Sequence, residues 1–446
     1  MKSIVSRGSV LISVLISLAL FSILAQALFT LVTTSYSVST YNSSRINAKH
    51  LAQEKMETIR NLPYDSIGTI GGIPPGNIPQ NETININGAN YYIKTTILYI
   101  DDPFDQQAPA DLLATDYKRI TIDASWEGQI TSQRNPIRLV TDISPSGIES
   151  TVTGGTLSII VINSDAQPVN QASVHIIATT TTPQIDVTLL TADNGRVILP
   201  GAPVCTTPCY QVLTSKSGYS SEQTYSPTEV ENPNKPNLTV LQGQLTEISF
   251  SIDKTSTLDV FSHDDAVSGF GALGNVEFTI QGEKTIGTDT SDQPIYKYTE
   301  QFATDASGHF QLPDLEWDNY HITIDSSVGD IEAINPFLPI KVLADTVNTV
   351  NFAVTDHTSD SVLITFLDPS ENQIASVSAR LYNTAPVFNA TASSGLEDNI
   401  DFGQVFFSDL QKKIYSIEAT KSGYFNFNGT VDVYGYKNET IVLSPI

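Results

Sequence analysis

The chain has 446 residues, with 23 Lys plus Arg against 48 Asp plus Glu, and its formal net charge is −25. So acidic a balance argues against nucleic acid as a partner, because phosphate neutralisation needs clustered Lys and Arg. The length suffices for three or four domains of about 100–200 residues each, and two Cys exclude a disulfide-dense scaffold.

Residues 9–34 form an uncharged apolar segment whose one amide is Gln26. The segment exceeds the length of about 20 residues that a helix needs to cross a bilayer. Lys2 and Arg7 precede it, so the positive-inside rule predicts a cytoplasmic N-terminus and an extracytoplasmic body. The apolar run is too long for a secretory signal peptide and no small-residue cleavage site follows it, which makes a transmembrane anchor the simpler interpretation.

The apolar segment continues into a second stretch with helical character. Residues 44–62 contain no Gly or Pro, and Pro63 is expected to end the helix. Apolar residues fall near helical spacing at Ile46, Leu51, Ala52, Met56 and Ile59. We therefore predict one helix over 9–61, apolar in its first half and amphipathic in its second. The polar stretch 33–44 is its weakest part, where a bend or fraying is expected.

The N-terminus resembles the type IV prepilin family, which includes the type II secretion pseudopilins. Arg7 and Gly8 followed by SVLISVLIS resemble the basic leader, the cleavage point and the start of the pilin helix. LAQEKMETIRNLPYDSI is similar to the helix end of minor pilins and pseudopilins, and the resemblance covers roughly residues 1–143. It implies that a membrane prepilin peptidase removes the leader 1–8 after Gly8 and methylates Ser9.

Two positions depart from the family pattern. Ser9 stands where the first mature residue is usually Phe, and Ser13 stands where the fifth is usually Glu. In the family, that carboxylate pairs with the N-terminal amine of a neighbouring subunit inside an apolar filament core. Its absence is expected to weaken polymerisation, which fits a minor or tip subunit better than a major one.

A β-rich head is predicted over 62–146. After a Gly/Pro-rich loop, strand patterns occur at 82–87, 91–100, 117–127 and 136–143, with an acidic insertion at 101–116. Four strands suffice for an antiparallel sheet with one apolar face. The amphipathic half of the helix would cover that face, as in a pilin head.

From residue 152 the strand pattern repeats with a period near 100, because opening strands start at 156, 257 and 361. Short strands with frequent turns predict β-sandwiches, here at 152–253, 254–356 and 357–446. The segments DAQPVNQASVHI, TADNGRVILPG, TDASGHFQLPDLEWDNYHITI and ATKSGYF resemble the carboxypeptidase regulatory-like (transthyretin-like) Ig-type module, an accessory and not a catalytic unit. The third copy lacks a clear D-x-x-G turn, and DNIDFGQVFFSDL is its expected counterpart. The predicted fold class is an α+β pilin-like part followed by three all-β Ig-like sandwiches in tandem.

Cys205 and Cys209 are the two cysteines and form a C-x3-C pattern just before a predicted strand. An export route favours a local disulfide between them. Free thiols and metal ligation remain the alternatives, although no His lies within twenty residues to complete a zinc site.

Other candidate chemistry is sparse. None of the six His recurs at i, i+4 on a helix, and no nucleophile elbow or phosphate loop is present. The pairs Asp101–Asp102 and Asp264–Asp265 are expected to be solvated loop acids, with Ca²⁺ ligation as the alternative. Tyr219 and Tyr424, each after Ser-Gly, are predicted to be structural corner residues. No catalytic residue, cofactor or metal is predicted.

These observations lead to the expectation of a non-enzymatic, pilin-like surface protein. Its expected partners are a prepilin peptidase, the membrane, other pilin subunits that bind through the helix, and an unidentified surface ligand. The expected role is adhesion or filament initiation. One alternative is a permanently membrane-anchored stalk or binding protein without a filament, and another is a type II secretion pseudopilin.

Overall fold

The structure is a computed structural model that describes residues 7–100, 116–127, 136–145, 154–384 and 387–446. Its elements confirm the predicted fold class, one long N-terminal helix followed by β-sheets that form sandwiches. The acidic insertion at 101–115 and most of the leader lie outside the described residues. The predicted domain boundaries stay predictions.

Helix α1 runs without interruption over Arg7–Arg60. The fraying expected within 33–44 is therefore wrong, and the bend that was its alternative stays a prediction. The hydroxyls of Thr33, Ser37 and Thr40 donate to carbonyl oxygens three or four residues earlier, at 2.8–3.0 Å. The helix itself thus satisfies these polar side chains, which makes a Ser/Thr-rich stretch compatible with continuous helix. A 3₁₀ turn at Tyr64–Ser66 follows the helix end.

The head is a four-stranded antiparallel sheet in the order β1-β2-β3-β4. Its strands are β1 Asn81–Ile86, β2 Ala89–Ile100, β3 Tyr117–Trp126 and β4 Ile137–Ile143. Asn87 and Gly88 join the first two strands with positive φ angles of 53° and 85°, as a two-residue hairpin requires.

The second half of α1 covers the inner face of this sheet. Ala48, Ala52, Met56 and Ile59 are buried against the strand residues Ile93, Ile97, Ile120 and Ile122. The expected contribution of Ile46 is wrong, because its side chain is 55 % exposed. The small side chain of Ala48 lies in the interface instead, where it lets the helix approach the sheet closely.

The first sandwich contains nine strands. They are β5 Gly155–Ile162, β6 Ser173–Ala178, β7 Ile185–Leu190, β8 Arg196–Ala202, β9 Cys205–Ser215, β10 Glu222–Gln223, β11 Asn232–Pro233, β12 Leu238–Val240 and β13 Leu245–Ser251. One sheet has the order β13-β5-β8, and the other has the order β10-β9-β6-β7 with β12 also paired to β9.

The second sandwich contains ten strands. They are β14 Ser256–His263, β15 Glu277–Gly282, β16 Thr285–Thr288, β17 Pro294–Tyr296, β18 Thr299–Ala303, β19 His309–Leu315, β20 Asp318–Thr323, β21 Asp330–Asn335, β22 Ile340–Val342 and β23 Val347–Thr355. Its two sheets have the orders β19-β14-β23-β21 and β18-β15-β20-β22.

The third sandwich contains seven described strands. They are β24 Asp360–Leu367, β25 Ser378–Thr384, β26 Val387–Ser393, β27 Gln404–Phe407, β28 Lys413–Thr420, β29 Phe427–Val433 and β30 Gly435–Val442. Its two sheets have the orders β27-β24-β30 and β26-β25-β28-β29.

The three sandwiches share one plan. In each, the first and last strands pair in parallel: β5 with β13, β14 with β23, and β24 with β30. The first strand of each sandwich also pairs with an antiparallel strand, which is β8, β19 or β27. A glycine with positive φ lies directly before that strand, at Gly195, Gly308 and Gly403. Each of these glycines accepts a hydrogen bond from the first strand at 2.8 Å. Gly403 therefore occupies the turn position for which the third copy has no D-x-x-G pattern.

A polar interface, which we call the first junction, joins the first two sandwiches. A loop of the first sandwich contributes β11, which pairs with β16 of the second sandwich and extends the β16–β17 hairpin. Asn234 adds two side-chain hydrogen bonds to Thr285 at 2.9 and 3.0 Å. Both segments are insertions that the third sandwich lacks among its described residues.

The second junction, between the second and third sandwiches, is apolar at its centre. Leu363 of β24 is buried in the core of the second sandwich, and Phe406 and Tyr436 pack against the same core. Around this centre, Gln404 accepts a hydrogen bond from the backbone of Ile334 at 2.9 Å. Strand β21 thus contacts both sandwiches.

Candidate functional site

Gly8 and Ser9, the predicted processing site, lie in the first turn of α1. Among the helix residues whose side chains the structure describes, burial against the head begins at Ala48. Nothing in the fold tests cleavage, so the processing site stays a prediction.

The first half of α1 exposes apolar side chains on every side. Phe21 and Phe29 are 72 % and 71 % exposed, and the Leu, Ile and Val residues between Val14 and Val38 are more than half exposed. Of the described helices, this one is long and apolar enough to span a membrane. So large an exposed apolar surface is costly in water and requires lipid or protein around it.

Hydroxyl groups of the apolar half of α1 donate to carbonyl oxygens of the same helix. Ser22 donates to the carbonyl of Leu18 at 2.8 Å, and Thr30 donates to that of Gln26 at 2.9 Å. These bonds remove the need for water at the Ser and Thr side chains. These two hydroxyl groups are therefore compatible with a hydrocarbon environment.

Above the span, polar contacts fasten the helix to the head. The amide of Asn47 donates to the hydroxyl of Tyr91 at 3.2 Å. The rings of Tyr41 and Trp126 lie 5.4 Å apart between centroids. Together with the buried Ala48 and Ala52, these contacts show that the head begins to cover the helix at about residue 41.

Lys118 is a buried cation that the sequence analysis did not single out. Its side chain is 2 % exposed and donates to the carbonyls of Tyr64 and Ile67 at 2.8 and 2.7 Å. Burial lowers the pKa of Lys118 to about 8, partly offset by Asp65, and burial raises the pKa of the neighbouring Tyr64 to about 12. Lys118 ties the segment after the helix to the sheet. Lys118 lies two residues before Ile120 and therefore on the same buried face of β3, and this spacing was the signal available in the sequence.

The two cysteines lie at the start of β9. The Sγ atoms of Cys205 and Cys209 are 2.08 Å apart, and both residues pack at the edge of the first sandwich's core. This geometry is that of a disulfide, the interpretation that the sequence analysis favoured for the two cysteines. The disulfide's existence in the exported protein stays a prediction.

The other candidate groups serve the fold. Tyr219 and Tyr424 form equivalent corners, each bridging to the segment that follows the last strand of its sandwich, at Lys254 and Pro445. The carboxylate of Asp265 accepts the backbone N–H of Ser268 at 2.7 Å, as a loop acid does. Across the described ranges no group of three His, Cys, Asp or Glu could hold a metal ion. The Asp101–Asp102 pair lies outside them.

Four histidines pair with carboxylates. The contacts are His175–Asp186, His309–Asp259, His321–Glu283 and His357–Asp330, with distances of 2.8–3.1 Å. Each pair joins neighbouring strands or neighbouring sandwiches, and none lies beside a nucleophile in hydrogen-bond contact with the imidazole. These geometries stabilise the fold and supply no acid–base dyad for acyl transfer.

No protein-family model and no curated protein matches the sequence. Among solved structures, the chain is similar to the Bacillus anthracis TIE protein at 15 % identity and a TM-score of 0.19, over 82 % of this chain and 61 % of that one. It is similar to a streptococcal ancillary pilin at 10 % identity and a TM-score of 0.18, over 66 % and 99 % of the two chains.

A third similar structure is GBS52, the minor pilin of Streptococcus agalactiae, with 12 % identity and a TM-score of 0.22 over 45 % of this chain and 96 % of that one. These TM-scores are far below those of a shared overall fold. The similarity therefore assigns no function to this chain.

Proposed function

We propose that the chain is a non-enzymatic, type IV pilin-like surface protein of the minor-pilin kind. Its helix α1 anchors it in the membrane and then, after processing between Gly8 and Ser9, in a pilus or pseudopilus. The sandwiches project outward for adhesion or filament initiation. One observation carries this proposal: a single helix, Arg7–Arg60, is apolar and uncovered in its first half and covered by a four-stranded sheet in its second.

The two halves of α1 support this role for different reasons. The uncovered half has to be surrounded by lipid or by other apolar helices, and a helix can exchange one environment for the other at little cost because both are apolar. The covered half fixes the head rigidly to the span through a packed core. A subunit built in this way can leave the membrane as a unit.

The proposed partners follow from the same helix. A prepilin peptidase would cleave the leader, and other pilin subunits would pack around the apolar half. The acidic body supports an outward position, because a net charge of −25 keeps it soluble and away from anionic lipid surfaces. The sandwiches offer the exposed surface for a ligand.

The test is the mature N-terminus of protein purified from its own cells. Mass spectrometry should find N-methylated Ser9 and no residues 1–8, and Gly8→Glu should leave the leader attached. Ser13→Glu, which restores the residue usual in prepilins, should increase the share of protein recovered in sheared filaments. An intact Met1 in the wild-type protein would refute the proposal.

That last outcome would favour the second candidate, a permanently anchored stalk protein. Ser13 in place of the usual Glu is the observation that favours it, since the chain lacks the carboxylate that joins neighbouring subunits in prepilins. Normal cleavage together with loss of protein secretion on deletion would identify a type II secretion pseudopilin instead.

A further inference from the structure

A cleft of about 250 Å³ opens at the first junction, and we call it the junction cleft. Its walls come from both sandwiches, because β10 and the chain beside β11 face the segments before β16 and between β19 and β20. Aromatic rings line it at Tyr225 and Trp317. Its charged lining consists of Glu222, Lys235, Lys284, Lys297 and Glu316. The cleft therefore depends on both sandwiches and brings charges of either sign close together.

Both carboxylates of the junction cleft are engaged by donors of the chain itself. The two oxygens of Glu316 contact Nζ of Lys284 at 2.9 Å and Nζ of Lys297 at 2.6 Å. The two oxygens of Glu222 contact Nζ of Lys235 at 2.8 Å and accept a backbone N–H of β13 at 2.7 Å. Each of these charged side chains is less than one third exposed. Neither carboxylate therefore needs a donor from a ligand.

The donors of the junction cleft outnumber its acceptors, since each ammonium has three N–H groups. Besides their ion pairs, Lys235 and Lys297 each donate to one backbone carbonyl at 2.8 Å. Nζ of Lys284 lies 3.2 Å from the centroid of the Trp317 ring. Within the described part of the chain, each ammonium thus retains one N–H without an acceptor. The buried indole N–H of Trp317 also has no acceptor among the described residues.

Desolvation makes Lys284 responsive to a further anion. Burial lowers the pKa of Lys284, and Glu316 offsets part of this effect while Lys297 adds to it. The nearby Asp318 offsets it further, but its two oxygens accept backbone N–H groups at 2.8 and 2.9 Å and it does not line the cleft. An anion inside the cleft would therefore stabilise the charged form of Lys284.

We propose that the junction cleft binds a carboxylate carried on one compact ring, the chemistry of an acidic monosaccharide. A carboxylate brings several acceptors and no donor, which matches the surplus of N–H groups in the cleft. The volume admits one ring, since pockets for larger ligands measure about 300–1,000 Å³. The ring of Trp317 turns its N–H toward the bound carboxylate and gains the acceptor that it lacks in the empty cleft.

The remaining lining favours a saccharide over a flat aromatic acid. Tyr225 and Trp317 offer apolar surface to the C–H groups of a sugar ring, and each carries a polar group at its edge. Gln223 and Thr285 line the same cleft and supply an amide and a hydroxyl for the sugar's own hydroxyls. The net charge of −25 repels an anion only weakly at a distance, because salt screens charges beyond about 8 Å.

This inference deepens the proposed function, because it names the ligand class of the outward sandwiches. The experiment titrates full-length chain in detergent micelles with glucuronate, galacturonate and N-acetylneuraminate by ligand-observed NMR. Glucose is the matched ring without a charge. We expect at least one acid to bind with a dissociation constant of about 1 mM, as is usual for ligands of this size. Glucose should bind at least about 10-fold more weakly.

Two variants that remove donors should weaken the binding of the acid. Lys284→Gln should weaken it about 10- to 100-fold, the range for a hydrogen bond to a charged group. Trp317→Phe keeps an aromatic ring, removes the N–H and should weaken it about 2- to 10-fold. Lys437→Gln is the matched control, because it breaks a similar Lys–Glu contact at 3.0 Å in the third sandwich and should leave binding unchanged.

A gain of affinity excludes misfolding as the explanation. Glu222→Gln leaves Lys235 without its opposite charge and should tighten binding of the acid about 3- to 10-fold. Trp317 can also report directly, since the chain has two Trp and Trp126→Phe leaves Trp317 as the single emitter. Its fluorescence should change on addition of the acid that binds and stay constant with glucose.

Three results would overturn the inference: no binding of any of the three acids up to about 20 mM, glucose binding as tight as that of the acids, or unchanged binding by Lys284→Gln. Weaker binding by Glu222→Gln would also contradict it. Leader processing is measured separately, at the mature N-terminus. A processed chain that binds no acid contradicts this inference alone, and a chain that binds the acid but keeps its leader contradicts the proposed function alone.

Discussion

The first and second junctions join sandwiches of the same plan by opposite means. The first junction uses insertions, β11 and the β16–β17 hairpin, whose contacts are hydrogen bonds near the surface. It also leaves a cleft of about 250 Å³ beside Tyr225, Lys284 and Trp317. The second junction buries Leu363 of one sandwich in the core of the other. The second and third sandwiches should therefore unfold as one unit, and the first should separate from them more easily.

The largest expected effect comes from the apolar centre of the second junction. Leu363→Ala removes a buried side chain, 2 % exposed, and should lower the free energy of unfolding by about 2–5 kcal/mol. Urea denaturation should then separate into two transitions, because the second and third sandwiches lose their shared core. Val347→Ala, at a side chain 74 % exposed, is the control and should change little. A single unshifted transition in Leu363→Ala would contradict a shared core.

The second largest effect on stability is expected from the polar contacts of Asp330 at the second junction. Asp330 is buried, and its carboxylate contacts Nδ1 of His357 at 2.8 Å and accepts from the hydroxyl of Ser361 at 2.8 Å. Asp330→Ala leaves these groups without their acceptor and should cost about 1–3 kcal/mol. Thermal unfolding measures the loss, and Ser361→Ala, which removes one donor, should cost less. Equal stability of wild type and Asp330→Ala would show that these polar contacts do not stabilise the second junction.

A smaller effect is expected from the pH dependence of the stability of the second junction. Burial, together with Asp265 and Asp401, raises the pKa of Glu332, and burial raises that of Asp401. A raised pKa means that the folded state binds more protons, so these groups favour folding at acidic pH and this contribution is lost as pH rises through their folded pKa values. The free energy of unfolding of the second junction, measured by hydrogen exchange in β21 after correction for the intrinsic pH dependence of amide exchange, should rise as the pH falls from neutral towards the ordinary Glu pKa of 4.5. Glu332→Gln should reduce this slope, and an unchanged slope would exclude Glu332 as its source.

The smallest effect is expected at the first junction. Asn234→Ala removes two exposed hydrogen bonds to Thr285 and should cost about 0.5–1.5 kcal/mol. Hydrogen exchange should increase in β11 and β16 while β24 stays protected. Asn383→Ala, which removes an exposed side-chain bond to Ile414 within the third sandwich, is the matched control and should leave β11 unaffected. Loss of protection in β24 would mean that the first junction supports the whole chain.

The sequence predicted the local patterns and missed what depends on distant contacts. The repeat of short apolar segments, SVLITFLD and TLDVFSH among them, located β24 and β14, since such segments can be recognised from the residues themselves. The same pattern could not show that Leu363 is buried in a neighbouring sandwich, because an apolar residue of a buried strand looks the same in the sequence whichever core it enters. Parallel pairing of first and last strands also depends on contacts between residues 75 to 90 positions apart.

The helix and its attachments show the same limit. Apolar composition predicted α1, but the hydrogen bonds that satisfy the hydroxyls of Thr33, Ser37 and Thr40 depend on side-chain rotamers. Whether Ala48 or Ile46 is buried depends on which face of the helix packs on the sheet, and the sequence does not show this. The candidate processing residues could be identified from sequence because they form a short local pattern. Lys118 could be placed only once its carbonyl partners at Tyr64 and Ile67 were known.

The parallel pairing of β24 with β30, repeated in the other two sandwiches, has a mechanical consequence. The chain enters each sandwich at one end of this strand pair and leaves it at the opposite end. Tension applied between the two ends of a sandwich therefore pulls the two strands along their lengths in shear. All bonds of the pair then carry the load together, whereas peeling would break them one after another. The row of sandwiches is thus suited to transmit traction.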